Sequence, residues 1–206
     1  VSAPGAFSVY NAAAAISVCR HYGIAPEVIR KALKTVRVPG RVEVIDNDRG
    51  YLLLIDYAHN AMSLKNILET MRRYHPRQLW VLFGCGGGRS AARRREMGRV
   101  AGKYADFTVI TSDNPRYEDP RRIMQSIEDG MKETNGQYQM IINRKEAMRF
   151  MLAQGRPGDI LILAGKGHEQ YQEIKGDYLP FNERKIAQEI LESLGGKIPE
   201  VNALQI

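Results

Sequence analysis

Ile160-Leu161-Ile162-Leu163-Ala164-Gly165-Lys166-Gly167-His168-Glu169 decides how this chain is read. Its apolar run is short, lacks polar alternation and is bounded by Asp159 and a glycine, so it reads as a strand buried on both faces. Strands of that kind belong to parallel sheets. The polar string behind it then lies at the strand's carboxyl end, where open α/β sheets bind ligands.

Working outward, the runs 51–56, 78–84, 107–112 and 138–143 have the same character as 159–164. Helical patterns separate them. Leu64, Ile67, Leu68 and Met71 share one face, as do Met97, Val100, Ala101 and Tyr104, with Ser90 as the cap of the second helix. Asp119 caps a helix whose first position is Pro120, where a missing N–H costs nothing. Asn143 and Glu146 form a capping-box pattern ending at Gly155, and Asn182 opens a last helix carrying Ile186, Ile190 and Leu194. Parallel strands need crossover helices, and those crossovers are right-handed. The expected class is α/β, a mostly parallel sheet with helices on both faces.

The first residues do not fit that alternation. Residues 1–3 read as the end of a strand; a helix follows Pro4-Gly5 and stops near Gly23, and a second runs over 25–35 with Val28, Ile29 and Leu33 on one face. These two helices have no sheet to cover. Pro39-Gly40 marks a boundary, so 1–38 is expected to be the tail of a preceding domain and 39–206 a domain of its own.

Of the 206 residues, 44% are hydrophobic and 26% charged, as in ordinary globular proteins. No apolar run approaches the roughly 20 residues of a membrane span, and no secretory leader pattern opens the chain, so no membrane partner and a cytoplasmic location are expected. Cys19 and Cys85 cannot make a disulfide framework, and no histidine pair has metal-ligand spacing, so no metal site is expected. The net charge of +7 suits an anionic ligand or a nucleic acid. The densest basic run, Arg93-Arg94-Arg95, lacks the interleaved aromatics of a single-strand platform; it reads as a solvated helix face or a phosphate contact, and nucleic acid is not expected as a partner.

Two apparent nucleotide motifs fail in detail. In Gly84-Cys85-Gly86-Gly87-Gly88-Arg89, an arginine stands where a dinucleotide fingerprint needs its third glycine. Gly165-Lys166-Gly167 is not a phosphate-binding P-loop, because Ile160 replaces the leading glycine and Gly167 the Ser/Thr. Turn chemistry accounts for Asp113, Asn114 and Pro115 but gives no reason for Arg116. Arg89 and Arg116, with Asn114 and Glu169, suit a zwitterion such as an amino acid. His59 and His168 also follow strands and either order their loops or touch a ligand.

Taken in order, Asp56-Tyr57-Ala58-His59-Asn60, the glycine-rich loop with Arg89, Asp113-Asn114-Pro115-Arg116 and Gly165-Lys166-Gly167-His168-Glu169 resemble the Mur ligases of peptidoglycan synthesis, most closely the diaminopimelate-adding branch. The resemblance runs from Gly5 to about Leu194. It implies three substrates: a UDP-N-acetylmuramoyl dipeptide, ATP with Mg2+, and meso-diaminopimelate. It assigns Arg89, Asn114 and Arg116 to the distal carboxylate of diaminopimelate, Gly165 and Glu169 to its distal ammonium, and Asp113 and Pro115 to the same substrate loop. Arginine suits the carboxylate because its planar fork can meet one bidentately. Asn11 matches an adenine contact, Arg41 and Asp56 match residues facing the nucleotide, and His59 and Asn60 belong to that loop. The sequence departs from the family at Ser8, where asparagine is usual, and at Ser90-Ala91-Ala92, where acidic and lysine residues are usual.

The resemblance covers the family's third domain and the last helices of its second. The rest of the ligase, including its P-loop, is therefore an expected partner, and the chain alone is expected to be inactive, with no catalytic residue of its own. Two alternatives stay open at this point: another ligase of the superfamily, of cyanophycin or folylpolyglutamate type, and a non-catalytic amino-acid-binding module.

Overall fold

A computed structural model gives the structure of residues 6–36 and 38–195; the strand end expected at 1–3 lies outside the described residues. Helices α1 (Ala6–His21) and α2 (Pro26–Thr35) come first, then β1 (Glu43–Ile45), β2 (Leu52–Asp56), α3 (Ala61–Arg72), β3 (Leu79–Phe83), α4 (Ala91–Tyr104), β4 (Phe107–Ile110), α5 (Pro120–Met131), β5 (Gln137–Met140), α6 (Arg144–Gln154) and β6 (Ile160–Ala164). The chain continues through β7 (Tyr171–Ile174), β8 (Asp177–Pro180) and α7 (Glu183–Ser193).

The main sheet has the order β1-β2-β6-β3-β4-β5. All its pairs are parallel except β1 with β2. Strands β3 and β6 are buried at every position, which is why their sequences show no alternation. Successive side chains go to opposite faces. Leu54, Val81, Phe83, Ile110 and Ile162 pack with the apolar stripes of α3, α4 and α5, whereas Leu53, Ile55, Leu82, Val109 and Leu163 pack with α6 and α7. Helices thus cover both faces.

The helix starts follow the sequence chemistry. Asp119 accepts from the Arg121 amide at 2.9 Å, Asn143 from that of Glu146 at 3.1 Å and Asn182 from that of Lys185 at 3.0 Å. The full capping box is elsewhere: Asn60 accepts from the Ser63 amide while Ser63 accepts from that of Asn60.

Two features were not anticipated. Strand β1 is a short antiparallel edge, and β7–β8 is a hairpin standing apart from the main sheet. Its tight turn, Lys175-Gly176, has positive φ at both residues, 54° and 92°, as a two-residue hairpin turn requires. Helices α1 and α2 pack on each other with Ala12 and Ile29 buried; Val9, Tyr10, Val18, Tyr22 and Val28 are exposed.

Candidate functional site

Strands β2, β6, β3 and β4 are consecutive neighbours and all parallel, so the loops after Asp56, Ala164, Phe83 and Ile110 leave the same edge of the sheet. That edge gathers residues 56–60, 86–89, 113–116 and 165–169, nearly every residue singled out from sequence. Beneath it, the buried Arg144 guanidinium pairs with the equally buried Glu183 at 2.8 Å and donates to the carbonyls of Ser112 and Ala164, at 3.3 and 2.8 Å. One side chain thereby ties the end of β4 to the end of β6.

The anionic side of the site is built around Lys166. Its side chain is fully buried, and its ammonium donates to Asn114 Oδ1 at 2.9 Å, Glu169 Oε2 at 3.3 Å and Asp113 Oδ1 at 3.4 Å. Asn114 Nδ2 also donates to Glu169 Oε2 at 2.9 Å, so the two motif loops share one hydrogen-bonded cluster. Gly165 makes this approach possible: its φ is +108°, and a Cβ there would lie 2.9 Å from Asp113 Oδ2.

The cationic side uses the hairpin. Arg116 sits in the left-handed region, φ 54°, held by its own amide donating to the Glu173 carbonyl at 3.0 Å and its carbonyl accepting from Lys175 at 2.8 Å. Its Nε donates to Glu173 Oε2 at 3.0 Å and its Nη1 to the Gly87 carbonyl at 2.9 Å. Hydrogen bonding to Glu173 raises the Arg116 pKa, so the cation is permanent. Nε and one donor of Nη1 are thus engaged within the protein, and Nη2 has no partner among the described residues. Arg89, exposed on the neighbouring glycine loop, has no hydrogen-bond or ion-pair partner among the described residues. Gly87 lets the loops meet: its amide donates to the Asn114 carbonyl at 2.8 Å, and a Cβ there would stand 2.0 Å from the Pro115 carbonyl oxygen.

The third cluster surrounds Tyr57. Its ring lies beneath the Arg41 guanidinium, 4.7 Å away, and against the rings of His59 and His168, at 4.6 and 5.1 Å. Its hydroxyl donates to Glu169 Oε1 at 3.5 Å, and desolvation, with the Glu169 charge next, raises the phenol's pKa. Both oxygens of buried Asp56 are taken, by the amides of Val42 at 2.9 Å and Ala58 at 2.8 Å. Burial raises the Asp56 pKa against the pull of these amides. Asp56 therefore braces the loop from within, and the Asn60 oxygen is engaged in its helix cap. Arg41, His59 and His168 are the exposed residues around Tyr57, and Asn11 is exposed on α1.

The arginine run corrects its simple reading as a solvated face. Arg94 is buried and grips Glu118 through both terminal nitrogens, at 2.8 and 2.9 Å, while Arg93 donates to the His59 carbonyl at 3.0 Å and Arg95 pairs with Glu133. A cavity of about 670 Å³ opens beside Pro115, Arg116, Tyr117 and Gln172, but it includes neither Arg89 nor Glu169. No helix among the described residues is long and apolar enough to cross a membrane.

Fold and site together define a doubly covered, mostly parallel α/β domain whose carboxyl-edge loops set two arginines, Arg116 paired with Glu173 and Arg89 without a partner among the described residues, beside a carboxylate cluster. The family model for the Mur ligase glutamate ligase domain matches residues 40–167, and the chain belongs to that family. The UDP-N-acetylmuramoyl-L-alanyl-D-glutamate–2,6-diaminopimelate ligase of Caldanaerobacter subterraneus is 48% identical over 188 residues, 91% of this chain and 39% of that protein. The enzyme of the same name from Syntrophomonas wolfei is 47% identical over 189 residues, again 91% of this chain and 39% of the relative. A solved structure of a ligase of that name superposes with a TM-score of 0.72 at 36% identity, covering 92% of this chain and 39% of the other. The chain therefore spans about two-fifths of the length of these relatives.

Sequence reasoning passed over Lys166, Tyr57, Glu173 and the Arg94–Glu118 pair. Lys166 stood inside a quoted motif, but nothing in its spacing signals burial. The hairpin that carries Glu173 left only a weak signal, Gly176 between short stretches holding Tyr171, Ile174 and Tyr178.

Proposed function

We propose that this chain is the amino-acid-binding portion of an ATP-dependent ligase that joins meso-diaminopimelate to UDP-N-acetylmuramoyl-L-alanyl-D-glutamate. Residues 39–206 form that domain, and 1–38 belong to the domain before it. In such a reaction ATP transfers a phosphoryl group to the terminal glutamyl carboxylate, the amine attacks the acyl carbon, and phosphate leaves. The task of this chain is to present the amine by its far end. Arg89 and Arg116 Nη2 take the distal carboxylate, while Glu169, backed by Asn114, takes the distal ammonium together with Gly165. The observation that carries the reading is the pairing of two free guanidinium edges with a carboxylate cluster on adjoining loops.

Arg41 fits a phosphate of the co-substrate, because its guanidinium rests on an aromatic face with no carboxylate partner among the described residues. His59 stands beside it, and Asn11 and Asn60 stay with the nucleotide side of the proposal. Among the described residues no three His, Cys, Asp or Glu side chains converge as a metal site. No step here runs through Mg2+, which the rest of the ligase would hold with ATP. A cytoplasmic setting accompanies ATP as co-substrate.

The test is a graft. This chain replaces the corresponding segment of the Caldanaerobacter ligase, and amino-acid-dependent release of phosphate is followed. Turnover with meso-diaminopimelate well above that with lysine supports the proposal; an active graft that prefers lysine or glutamate overturns it.

A further inference from the structure

The buried ammonium of Lys166 lies where the proposed function needs negative charge. Asp113 and Glu169 offer two carboxylates, and a ligand ammonium needs one. Lys166 neutralises the other. On the opposite side, Glu173 neutralises Arg116, leaving Arg89 as the cation without an acidic partner. Counting Arg89, Arg116 and Lys166 against Asp113, Glu169 and Glu173, the ligand-free site is electrically balanced.

We propose that Lys166 is a specificity-determining positioning residue: by cancelling one carboxylate, it matches the site to a ligand end bearing both an ammonium and a carboxylate. Such an end is neutral overall, whereas the end of a lysine side chain carries a net positive charge. Without Lys166 the site gains a negative charge within reach of both ligand groups. That change repels the carboxylate of diaminopimelate and attracts the ammonium of either amino acid, so the ammonium effect cancels in a comparison and the carboxylate effect remains. Lys166 also fixes the geometry, since its Nζ joins Asp113, Asn114 and Glu169 from two different loops. It does this without touching the ligand, because its side chain is fully buried.

The inference rests on the proposed function, and the experiment separates the two. In the grafted ligase, kcat/KM is measured for meso-diaminopimelate and for lysine, in the unsubstituted protein and in Lys166→Met. The ratio of the two values is expected to fall about tenfold, because a unit charge a few ångströms away acts on the carboxylate alone. A loss of folded protein lowers both values equally and leaves the ratio where it was. Adding Asp113→Asn to Lys166→Met removes the excess negative charge and should return the ratio to within about threefold of the original. Where Lys166→Met does not fold, Lys166→Gln, which keeps a donor for Glu169, takes its place and the same ratio decides. An unchanged ratio in the charge-deleted variant, or a ratio that stays low in the charge-restored one, overturns the role of Lys166. A graft that is active but does not prefer diaminopimelate before any substitution overturns the proposed function instead.

Discussion

Replacing Arg116 by alanine removes one cation from the proposed carboxylate-binding side and breaks two internal bonds, to Glu173 Oε2 and to the Gly87 carbonyl. Truncating one partner of a hydrogen-bonded charge pair costs about 2–5 kcal/mol when the pair is dehydrated. Here the Arg116 side chain is 39% exposed, so solvent screening places the effect at the lower end, about 2–3 kcal/mol. At 1.36 kcal/mol per factor of ten, kcat/KM for meso-diaminopimelate in the grafted ligase should fall roughly thirtyfold to a hundredfold or more. Lysine, without a distal carboxylate, should lose far less. Arg116→Lys should recover part of the loss, since it keeps the charge without the fork. Arg116→Gly separates the backbone from the side chain: φ of 54° is easy for glycine, so any recovery relative to alanine reports strain in the loop. Equal losses for both amino acids would refute the reasoning and leave Arg116 as a turn residue held by the hairpin.

Three further outcomes concern the scaffold. Arg144→Met strands the buried Glu183 carboxylate and should lower unfolding stability by about 3–5 kcal/mol in urea titrations, whereas Arg144→Met with Glu183→Leu should lose much less. A double variant as unstable as the single one would show that the ion pair is not what holds those strand ends. Gly87→Ala puts a methyl group 2.0 Å from the Pro115 carbonyl oxygen, so the Arg116 loop must move, and use of diaminopimelate by the grafted ligase should drop on the order of tenfold to a hundredfold; unchanged kinetics would mean that the loop contact is dispensable. Burial pushes the Cys85 thiol from its ordinary 9.0 up to about 12. The folded state therefore keeps its proton where the unfolded chain has lost it, and stability should fall by about 1.4 kcal/mol per pH unit above pH 9. Cys85→Ala should flatten most of that slope between pH 9 and 10, leaving the smaller contribution of tyrosines such as Tyr51, also raised from 10.0 to about 12, whose unfolded forms only start to ionise in that range; an identical slope in the variant would contradict it.

The parts of this molecule that could be read from sequence are those governed by local rules. Strands β3 and β6 announced themselves because full burial on both faces demands an uninterrupted apolar run, and α5 because Asp119-Pro120 is good chemistry only at a helix start. Strand β1 was missed because a three-residue edge with one buried position leaves almost no pattern. The site was legible as a set of loops, since strand ends and ligand-binding loops coincide in this architecture. Its internal wiring was not. That Lys166 rather than solvent meets Asp113 and Glu169, that Glu173 already engages Arg116, and that Arg94 turns inward to Glu118 depend on contacts between residues 3 to 57 apart in sequence, which no periodicity encodes.

The most direct measurement is a crystal structure of the grafted ligase with meso-diaminopimelate. The account predicts the distal carboxylate on Arg89 and Arg116 Nη2, the distal ammonium on Glu169, and Lys166 still bound to Asp113 and Asn114. A ligand seated in the cavity beside Tyr117, or held in the reverse sense with its ammonium toward the arginines, would contradict it.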